Sequence, residues 1–486
     1  MMTFDQVSRW LPGAQVVRAN ALPDAVICRV HTDTRSIEPG DLFVALKGER
    51  FDALDFLAQA QHQGAVAAIC QGAEAAAKLA QVGLPGWVVP DAKLALAQLA
   101  THWRAQFRLP VIAVTGSNGK TTVTQMVASI LRTWQGDAAL ATLGNLNNDI
   151  GVPLTVLRLR AQHRVAVIEL GMNHPGEIAT LAAVAQPTVA LVNNAQREHL
   201  EFMGSVAAVA QENGSVIAAL PPDGVAVFPL RDAYSPLWQS IAGARTTLTF
   251  SVGADPATPD AAASRAWVAT QAEWADGAWQ VQAHTPQGSV AFALHIAGAH
   301  NVSNALAAAA CAQAAGVPLP AIAAGLEAFE PIKGRSRALL VTVKGRAITL
   351  VDDTYNANPD SVRAAIEVLA ALPAPRLLVL GDMGEVGNQG PEFHHEALQL
   401  AMAKNIEKVL VTGSASAQAA IDFDSIEVHG EMAALQAAVL ACLPGVASVL
   451  VKGSRFMKME RVVEAICAAV DRPLPTDTPP KEATPC

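Results

Sequence analysis

Short, continuous runs of apolar residues recur along the middle of the chain. Val111–Thr115, Val165–Leu170 and Val189–Asn193 are such runs, and the stretches between them carry apolar residues at helical spacing. Continuous apolar runs predict strands that are buried on both faces, and their alternation with helices predicts βα units. The pattern therefore predicts a mostly parallel sheet covered by helices.

Predicted strands and helices also alternate toward both ends of the chain. Before residue 109, Leu42–Leu46 predicts a strand, while Phe56–Gln63 and Lys93–Trp103 predict helices. From residue 331 onward the predicted strands are Ile348–Val351, Leu377–Leu380, Val409–Thr412 and Val449–Lys452. We predict an α/β protein of three domains, at 1–108, 109–330 and 331–470, with a small α/β domain before the central sheet and a Rossmann-like α/β domain after it.

Two segments depart from this rhythm. Residues 245–296 contain the runs Thr247–Phe250, Ala266–Ala269 and Val290–Leu294 separated by turns, which we interpret as a small antiparallel patch. The tail at 471–486 is rich in proline, and we predict that it is disordered.

The composition excludes several classes of protein. Hydrophobic residues form 51% of the 486 residues and charged residues 16%, so the chain can bury large cores. The net charge of −9 argues against a general nucleic-acid binder, and no apolar run is long enough to span a membrane. The cysteines are scattered without metal-ligand spacing and residues 1–17 lack the pattern of a secretory leader, which favours a cytoplasmic protein.

The segment Gly116–Thr122 has the order of residues that a phosphate-binding loop needs. It reads Gly-Ser-Asn-Gly-Lys-Thr-Thr, follows a predicted strand and precedes a helical pattern. Its glycines let backbone N–H groups approach phosphate oxygens, Lys120 offers a cation and Thr121 offers a hydroxyl for Mg²⁺. Because Val114 stands where a full Walker A motif has its first glycine, the loop is a shortened variant. A glycine turn with an incidental lysine is the alternative.

Polar residues also follow two other predicted strands. Glu169 ends one buried strand, and His199 lies in the loop after another. Ligands of open parallel sheets bind beyond the carboxyl ends of the strands, so a carboxylate there is a natural Mg²⁺ ligand. The alternatives are an ion-paired or capping role for Glu169 and a structural role for His199. Asn301 opens an alanine-rich helical stretch, where it is either a helix cap or a wall of a nucleotide pocket.

The third predicted domain carries polar loops at comparable positions. Arg335 could hold a phosphate through bidentate contacts or belong to a solvated linker. The loop Asp352–Pro359 follows a strand and precedes a helix, which favours a binding site, and Lys452–Arg455 repeats that placement. We place His394 and His395 on the surface of an amphipathic helix and assign them no chemistry.

Taken together, these motifs resemble the Mur ligases of peptidoglycan synthesis. The resemblance runs from about Thr32 to Arg461 and is carried by Thr115–Thr122, Asn147–Leu154, Glu169–Met172, Gly298–Asn304, Asp353–Pro359, Gly381–Glu385 and Lys452–Arg455. Several ordered segments are more specific than one phosphate loop. The run Tyr355–Pro359 is similar to the members of the family that add D-alanyl-D-alanine.

The resemblance implies an enzyme that joins D-alanyl-D-alanine to UDP-N-acetylmuramoyl-tripeptide through an acyl-phosphate, with ATP and Mg²⁺ as cofactors. The N-terminal domain would hold the UDP end of the substrate, the central P-loop-type domain ATP and Mg²⁺, and the C-terminal domain the dipeptide. We expect a monomer. The alternatives are another Mur-type ligase, a ligase like folylpolyglutamate synthase, or a non-catalytic nucleotide-binding scaffold.

The resemblance also implies roles for single residues. Those near the nucleotide would be Gly116, Ser117, Asn118, Gly119, Lys120, Thr121, Thr122, His300, Asn301, Asn304, Arg335 and Asp353. Those near the other substrates would be Thr34, Arg35, Ser36, Lys47, Tyr355, Asn356 and Asn358. Lys120, Glu169, His199 and Arg335 would carry the chemistry, and Thr121, Glu169 and His199 would lie next to Mg²⁺.

Two positions depart from the family pattern. Ala53-Leu54 stands where Gly-His is common, which weakens a detailed account of the uridine pocket. Asn213 stands where these ligases usually have a carbamylated lysine that binds Mg²⁺. We expect Asn213 to offer only a neutral carbonyl oxygen, and so a weaker second metal site. Domain closure would hinge near 329–334.

Overall fold

A computed structural model of the chain describes residues 1–17, 26–48, 51–253, 265–275 and 278–469. The tail predicted to be disordered at 471–486 lies outside the described residues. The predicted α/β class with a large, mostly parallel central sheet is confirmed. A further sheet lies on either side of it in sequence, although the exact domain boundaries stay predictions.

The N-terminal part is a small α/β unit. Its strands are β1 (Met2–Thr3), β2 (Gln15–Val17), β3 (Val26–Ile27), β4 (Arg29–His31), β5 (Asp41–Val44), β6 (Ala67–Gln71) and β7 (Gly86–Val89). Its helices are α1 (Phe4–Trp10), α2 (Leu57–His62), α3 (Ala75–Val82) and α4 (Ala92–Arg104). The main sheet has the order β2-β7-β6-β5-β4, in which β4 to β7 are parallel and β2 is antiparallel.

The central part is built on the largest sheet. Its strands are β8 (Val111–Thr115), β9 (Ala139–Ala141), β10 (Val165–Glu169), β11 (Val189–Val192), β12 (Val225–Pro229), β13 (Thr246–Val252), β14 (Ala266–Ala275), β15 (Ala278–Thr285) and β16 (Gly288–Leu294). Its helices are α5 (Lys120–Gln135), α6 (Gly151–Val156), α7 (Glu177–Ala185), α8 (Leu200–Met203), α9 (Val206–Ala218), α10 (Ser235–Ala242), α11 (His300–Ala314) and α12 (Leu319–Glu327). The strand order is β16-β15-β14-β13-β12-β11-β8-β10-β9.

Strand β8 shows why this sheet is buried on both faces. Val111 and Ala113 enter the core that also receives α4, α6 and α7, whereas Ile112 and Val114 enter the core formed with α5, α11 and α12. All four side chains are fully buried, because alternate residues of a strand point to opposite faces. Helix α4 of the N-terminal part thus shares a core with the central sheet.

The prediction of a small antiparallel patch at 245–296 is correct for β14 to β16 and wrong for β13. Strands β13 and β14 extend the central sheet in parallel, and only the further pairs β14–β15 and β15–β16 are antiparallel. Strand β15 escaped the sequence analysis because exposed Gln280, Gln282 and His284 alternate with buried residues and dilute its apolar signal.

The C-terminal part resembles a Rossmann fold, as predicted. Its strands are β17 (Arg337–Val343), β18 (Arg346–Asp353), β19 (Arg376–Leu380), β20 (Lys408–Thr412), β21 (Ile426–His429) and β22 (Ser448–Lys452). Its helices are α13 (Pro359–Ala371), α14 (Gly390–Ala403), α15 (Ser414–Ala419), α16 (Met432–Cys442) and α17 (Glu460–Ala469). The sheet order is β17-β18-β22-β19-β20-β21, parallel except for the edge strand β17.

The assignment of His394 to a helix surface is wrong, whereas its neighbour His395 is half-buried. His394 is buried in α14, and its Nε2 accepts a hydrogen bond from the Met383 N–H at 2.8 Å. Its Nδ1 lies 2.6 Å from the Gly390 carbonyl oxygen. This histidine ties the loop after β19 to α14, a structural role that helical spacing alone does not reveal.

Within the described ranges, no helix combines the length and the apolar character that crossing a membrane would require.

Candidate active site

The carboxyl ends of β10, β8 and β11 meet at one edge of the central sheet. Strand β8 lies between the other two, and the strand order reverses there, which is the position where open α/β sheets bind ligands. A cleft of about 1460 Å³ opens at this edge. It is lined by the phosphate loop, the ends of β10 and β11, and the C-terminal loop Asp353–Asn358.

The phosphate loop has the backbone conformation that its glycines allow. Gly116 and Gly119 have φ angles of +132° and +81°, and a Cβ atom on Gly119 would lie 2.6 Å from Asn304 Oδ1. Side chains from the end of β11 brace the loop, because Asn118 N–H donates to Asn194 Oδ1 and Asn193 Nδ2 donates to the Asn118 carbonyl. The loop leads directly into the N-terminus of α5, where unpaired backbone N–H groups favour the binding of an anion.

Lys120 points back over the phosphate loop. Its Nζ donates to the carbonyl oxygens of Gly116 and Ser117, and it lies 2.5 Å from Glu198 Oε1. Burial raises the pKa of the Glu198 carboxyl in spite of the neighbouring Lys120 cation. The cation predicted for the phosphates is thus held by a buried carboxylate in this structure.

Thr121, Glu169 and Arg335 form a short chain of hydrogen bonds. The Thr121 hydroxyl donates to Glu169 Oε1 at 3.0 Å and accepts from Arg335 Nη2 at 2.9 Å. Asn147 Nδ2 also donates to Glu169 Oε1. Glu169 is buried, and its Oε2 accepts no hydrogen bond from any residue that the structure describes. A buried carboxylate oxygen without a donor is costly, and a hard cation is a suitable partner for it.

His199 precedes α8 as its cap residue, with a left-handed φ of +48°. Its Nδ1 lies 2.6 Å from Glu385 Oε2 of the C-terminal part, without the alignment of a regular hydrogen bond. Its Nε2 lies 3.6 Å from Glu198 Oε1. His199 therefore lines the cleft beside the carboxylate that holds Lys120.

Asn301 and Asn304 belong to a buried amide network. Asn193 Nδ2 donates to Asn304 Oδ1, Asn304 Nδ2 donates to Asn301 Oδ1, and Asn301 Nδ2 donates to the Ala297 carbonyl. Helix α11 begins at His300 with Ala299 as its cap residue, so Asn301 is not the helix cap. The network supports the phosphate loop from below, while exposed His300 lines the cleft. Contact of these residues with adenine stays a prediction.

The C-terminal polar loop reaches the phosphate loop. Asn358 Nδ2 donates to Asn118 Oδ1 at 2.9 Å, and the guanidinium of Arg335 stacks 3.9 Å above the ring of Tyr355. Buried Lys452 holds the loop in place, because its Nζ contacts Asp353 Oδ2 at 2.6 Å and the Asn356 carbonyl at 2.9 Å. The structure thus brings together the predicted residues of the central and C-terminal parts.

The candidate residues of the N-terminal part lie outside the cleft lining as the described residues define it. Thr34, Arg35 and Ser36 form a single 3₁₀ turn, and Arg35 is exposed and paired with Asp33 at 2.6 Å. Lys47 is likewise exposed, 3.8 Å from Asp52. Their role in holding the UDP group stays a prediction.

Asn213 is fully buried in α9. Its Oδ1 accepts a hydrogen bond from the Thr115 hydroxyl at 2.6 Å, and the residue is not part of the cleft lining. The carbonyl oxygen that we expected to face a metal is therefore already engaged by the last residue of β8. A weak metal contact from Asn213 stays a prediction that this geometry does not favour.

The sequence analysis missed Glu198, Asn193 and Lys452 as parts of the site. Each lies at or after the end of a predicted strand. Glu198 is next to His199, Asn193 follows β11, and Lys452 ends β22. An ionisable or amide side chain at the carboxyl end of a parallel strand was the available signal. What each of them contacts depends on residues far away in sequence.

These features define an enzyme of the Mur ligase family, and the chain belongs to it. The Mur ligase middle domain matches residues 114–312, and the Mur ligase glutamate ligase domain matches residues 336–455. A third domain, described as the Mur ligase family catalytic domain, matches residues 26–104.

Two of its sequence relatives have the same name. UDP-N-acetylmuramoyl-tripeptide–D-alanyl-D-alanine ligase of Escherichia coli (strain K12) is 41% identical over 91% of this chain and 94% of the relative. The ligase of the same name from Haemophilus influenzae is 38% identical over 93% of this chain and 97% of the relative.

Solved structures of enzymes called MurF are similar as well. MurF from Acinetobacter baumannii superposes with a TM-score of 0.85 at 34% identity, covering 96% of this chain and 98% of that one. MurF from Thermotoga maritima in complex with ADP shares the fold, with a TM-score of 0.75 at 24% identity, over 92% of this chain and 99% of that one.

Proposed function

We propose that this chain is the ATP-dependent ligase that joins D-alanyl-D-alanine to UDP-N-acetylmuramoyl-tripeptide in peptidoglycan synthesis. The observation that carries the proposal is the contact between the phosphate loop and the C-terminal part, through Asn118 with Asn358 and Thr121 with Arg335. It sets the groups suited to a triphosphate beside the groups that we assign to the dipeptide. The sequence relatives named above carry this activity in their names.

The chemistry requires an activated carboxyl group. A carboxylate repels nucleophiles and has no adequate leaving group, so it does not condense with an amine unaided. An oxygen of the terminal carboxylate of the tripeptide attacks the γ-phosphorus of ATP, the bond from that phosphorus to the β,γ-bridging oxygen breaks, and ADP leaves. The product is an acyl-phosphate, in which phosphate is a good leaving group.

The central sheet supplies the groups that this step needs. The loop N–H groups and the N-terminus of α5 would hold the phosphates, and Lys120 would leave Glu198 to offset the γ-phosphate charge. Arg335, which donates a hydrogen bond to the Thr121 hydroxyl, would approach the same phosphates from the C-terminal part. Positioning and charge neutralisation account for most of the catalysis of phosphoryl transfer.

The residues present fit Mg²⁺. The unpaired Oε2 of buried Glu169 and the hydroxyl of Thr121 would hold it, and His199 lines the same cleft. In the described parts of the chain, His, Cys, Asp and Glu form no cluster of three or more that could hold a metal. Phosphate oxygens of ATP would therefore have to supply further ligands to the ion. When bound, Mg²⁺ neutralises phosphate charge.

The second step forms the amide bond. The amino group of D-alanyl-D-alanine attacks the acyl carbon and loses a proton, and the tetrahedral intermediate expels inorganic phosphate. Tyr355, Asn356 and Asn358 line the cleft on the side from which the amine would approach. Because one chain supplies every group invoked here, we propose a monomer, and ATP as substrate favours the cytoplasm.

A phosphate-release assay tests the proposal. Phosphate should appear from ATP only when UDP-N-acetylmuramoyl-tripeptide and D-alanyl-D-alanine are both present, together with UDP-N-acetylmuramoyl-pentapeptide in equal amount. Release driven by another amino acid, or by a folate in place of the UDP-peptide, would assign the chain to a different ligase. ATP binding without any release would indicate a scaffold.

A further inference from the structure

Residues 196–199, in the loop after β11, alternate between two neighbours, and we call this segment the coupling loop. Gln196 and Glu198 face the phosphate loop, where Gln196 Oε1 accepts from Asn118 Nδ2 at 2.6 Å and Glu198 pairs with Lys120. Arg197 and His199 face the C-terminal part. The coupling loop thus contacts the nucleotide site with one set of side chains and the domain that we assign to the dipeptide with the other.

Arg197 makes the most extensive of these contacts. Its Nη2 lies 2.8 Å from Asp360 Oδ1 and its Nη1 lies 2.9 Å from Glu396 Oε2, while its backbone N–H donates to Asp360 Oδ2 at 2.8 Å. The guanidinium also stacks on the ring of Phe393 at 5.1 Å. One side chain of the central part therefore binds the start of α13 and the face of α14 together.

The start of α13 is where the proposed dipeptide loop ends. Asn358 caps this helix through the Ser361 N–H and also reaches Asn118 of the phosphate loop. Asp360, the partner of Arg197, is only two residues further along. By holding Asp360, Arg197 therefore helps to keep the C-terminal loop next to the phosphate loop.

We infer that Arg197 is a positioning residue for the ligation step, which docks the C-terminal domain on the nucleotide site by clamping Asp360 and Glu396. The inference rests on the proposed function. Among the residues that the structure describes, the Arg197 side chain has its hydrogen bonds with Asp360 and Glu396, and none with the phosphate loop or the predicted substrate residues. It acts through α13, so its loss should weaken capture of the amine more than binding of the nucleotide.

The chain offers a matched control for Arg197. Arg363 pairs with the same Glu396, but it lies on α13, so this pair stays within the C-terminal part. Arg197→Gln should lower kcat/KM for D-alanyl-D-alanine about tenfold or more and change the Kd of ADP less than about twofold. Arg363→Gln should change both quantities less than about twofold. Arg197→Lys keeps the positive charge but loses the planar guanidinium that binds two carboxylates. Its kcat/KM for D-alanyl-D-alanine should lie between those of Arg197→Gln and the unaltered enzyme.

Two further measurements complete the test. The loss of kcat/KM in the double variant Arg197→Gln/Asp360→Asn should be smaller than the product of the two single losses, because both changes remove the same ion pair between the two side chains. Small-angle X-ray scattering with ADP bound should show a larger radius of gyration for Arg197→Gln than for the unaltered enzyme. An unchanged kcat/KM, or equal losses in kcat/KM, ADP affinity and melting temperature, would overturn the inference.

The proposed function can fail separately. If the unaltered enzyme does not use D-alanyl-D-alanine at all, the proposed function is wrong, and the scattering measurement alone decides on the clamp. A larger radius for Arg197→Gln with ADP would then support the clamp, and equal radii would overturn it.

Discussion

Lys120 Nζ lies 2.5 Å from Glu198 Oε1, and both side chains are largely buried at the mouth of the phosphate loop. The cation that the loop offers to a triphosphate is therefore already paired with a carboxylate of the same chain. Under the proposed function a phosphate would replace this carboxylate on Lys120, so the two anions would compete for one cation.

Glu198→Gln should strengthen nucleotide binding in the absence of metal. The substitution removes the negative charge that competes with the phosphates, and we expect the Kd of ADP measured in EDTA to fall about tenfold, equivalent to about 1.4 kcal/mol. Calorimetric titration measures it, with the exposed Glu201→Gln as the control for a general change in charge. An equal or larger Kd for Glu198→Gln would show that Glu198 does not compete.

Gly119→Ala should abolish tight nucleotide binding. Its φ of +81° is unfavourable for alanine, and the added Cβ would lie 2.6 Å from Asn304 Oδ1 and 2.8 Å from Asn193 Nδ2, so the loop must shift. Gly83→Ala is the matched control, because Gly83 is also left-handed, with φ of +70°, and the new Cβ would meet only Gln61 Nε2, at an ordinary contact distance of 3.8 Å. The control isolates the cost of a left-handed alanine, about 1 kcal/mol. Equal ADP affinity in the two variants would contradict this prediction.

Glu169→Gln should uncouple Mg²⁺ from the nucleotide. The glutamine carbonyl can still accept from Thr121 and Asn147, but the unpaired charge of Oε2 is lost. We expect the improvement of ADP binding by Mg²⁺ to shrink about tenfold or more, while the melting temperature without ligands does not fall. Titration of ADP with and without Mg²⁺ measures the first effect. Unaltered Mg²⁺ dependence would remove Glu169 from the metal site.

Asp41→Asn should weaken the N-terminal sheet in a pH-dependent way. Burial by itself raises the pKa of the Asp41 carboxyl, but hydrogen bonds from Arg29 and the Glu38 N–H outweigh it, so the pKa lies below its ordinary value of 3.8. A lowered pKa adds stability above the ordinary value, and this stability is lost as the pH falls through the folded-state value. The variant should therefore be less stable by about 1–2 kcal/mol near neutral pH.

The difference between Asp41→Asn and the unaltered protein should shrink below about pH 4. Urea unfolding at several pH values, with circular dichroism as the probe, measures it. A difference that grows on acidification would contradict the assignment.

The sequence predicted those features that depend on neighbouring residues. Strands β8, β10 and β11 were found because buried parallel strands are continuously apolar, and the phosphate loop was found because its glycines and Lys120 are adjacent. Their strand-end positions then predicted Glu169 and His199 at one edge of the sheet. The structure places both in the same cleft.

The remaining features depend on pairs that are distant in sequence. Glu198 meets Lys120 across 78 residues, Lys452 meets Asp353 across 99, and Arg197 meets Asp360 across 163. No local pattern encodes such pairs, because the first two form only when their own domain has folded and the third only when two domains have docked. Asn301 was left between two roles although its partners are close in sequence, because helix geometry had to be known before its hydrogen bonds with the Ala297 carbonyl and Asn304 Nδ2 could be assigned.

Isotope transfer tests the central claim most directly. The tripeptide substrate is prepared with ¹⁸O in its terminal carboxylate and incubated with the enzyme, ATP and D-alanyl-D-alanine, and the released phosphate is analysed by mass spectrometry. An acyl-phosphate formed at the phosphate loop predicts one ¹⁸O atom in each phosphate, because the oxygen that attacked the γ-phosphorus leaves with it. Phosphate without ¹⁸O, released together with the pentapeptide product, would contradict the account.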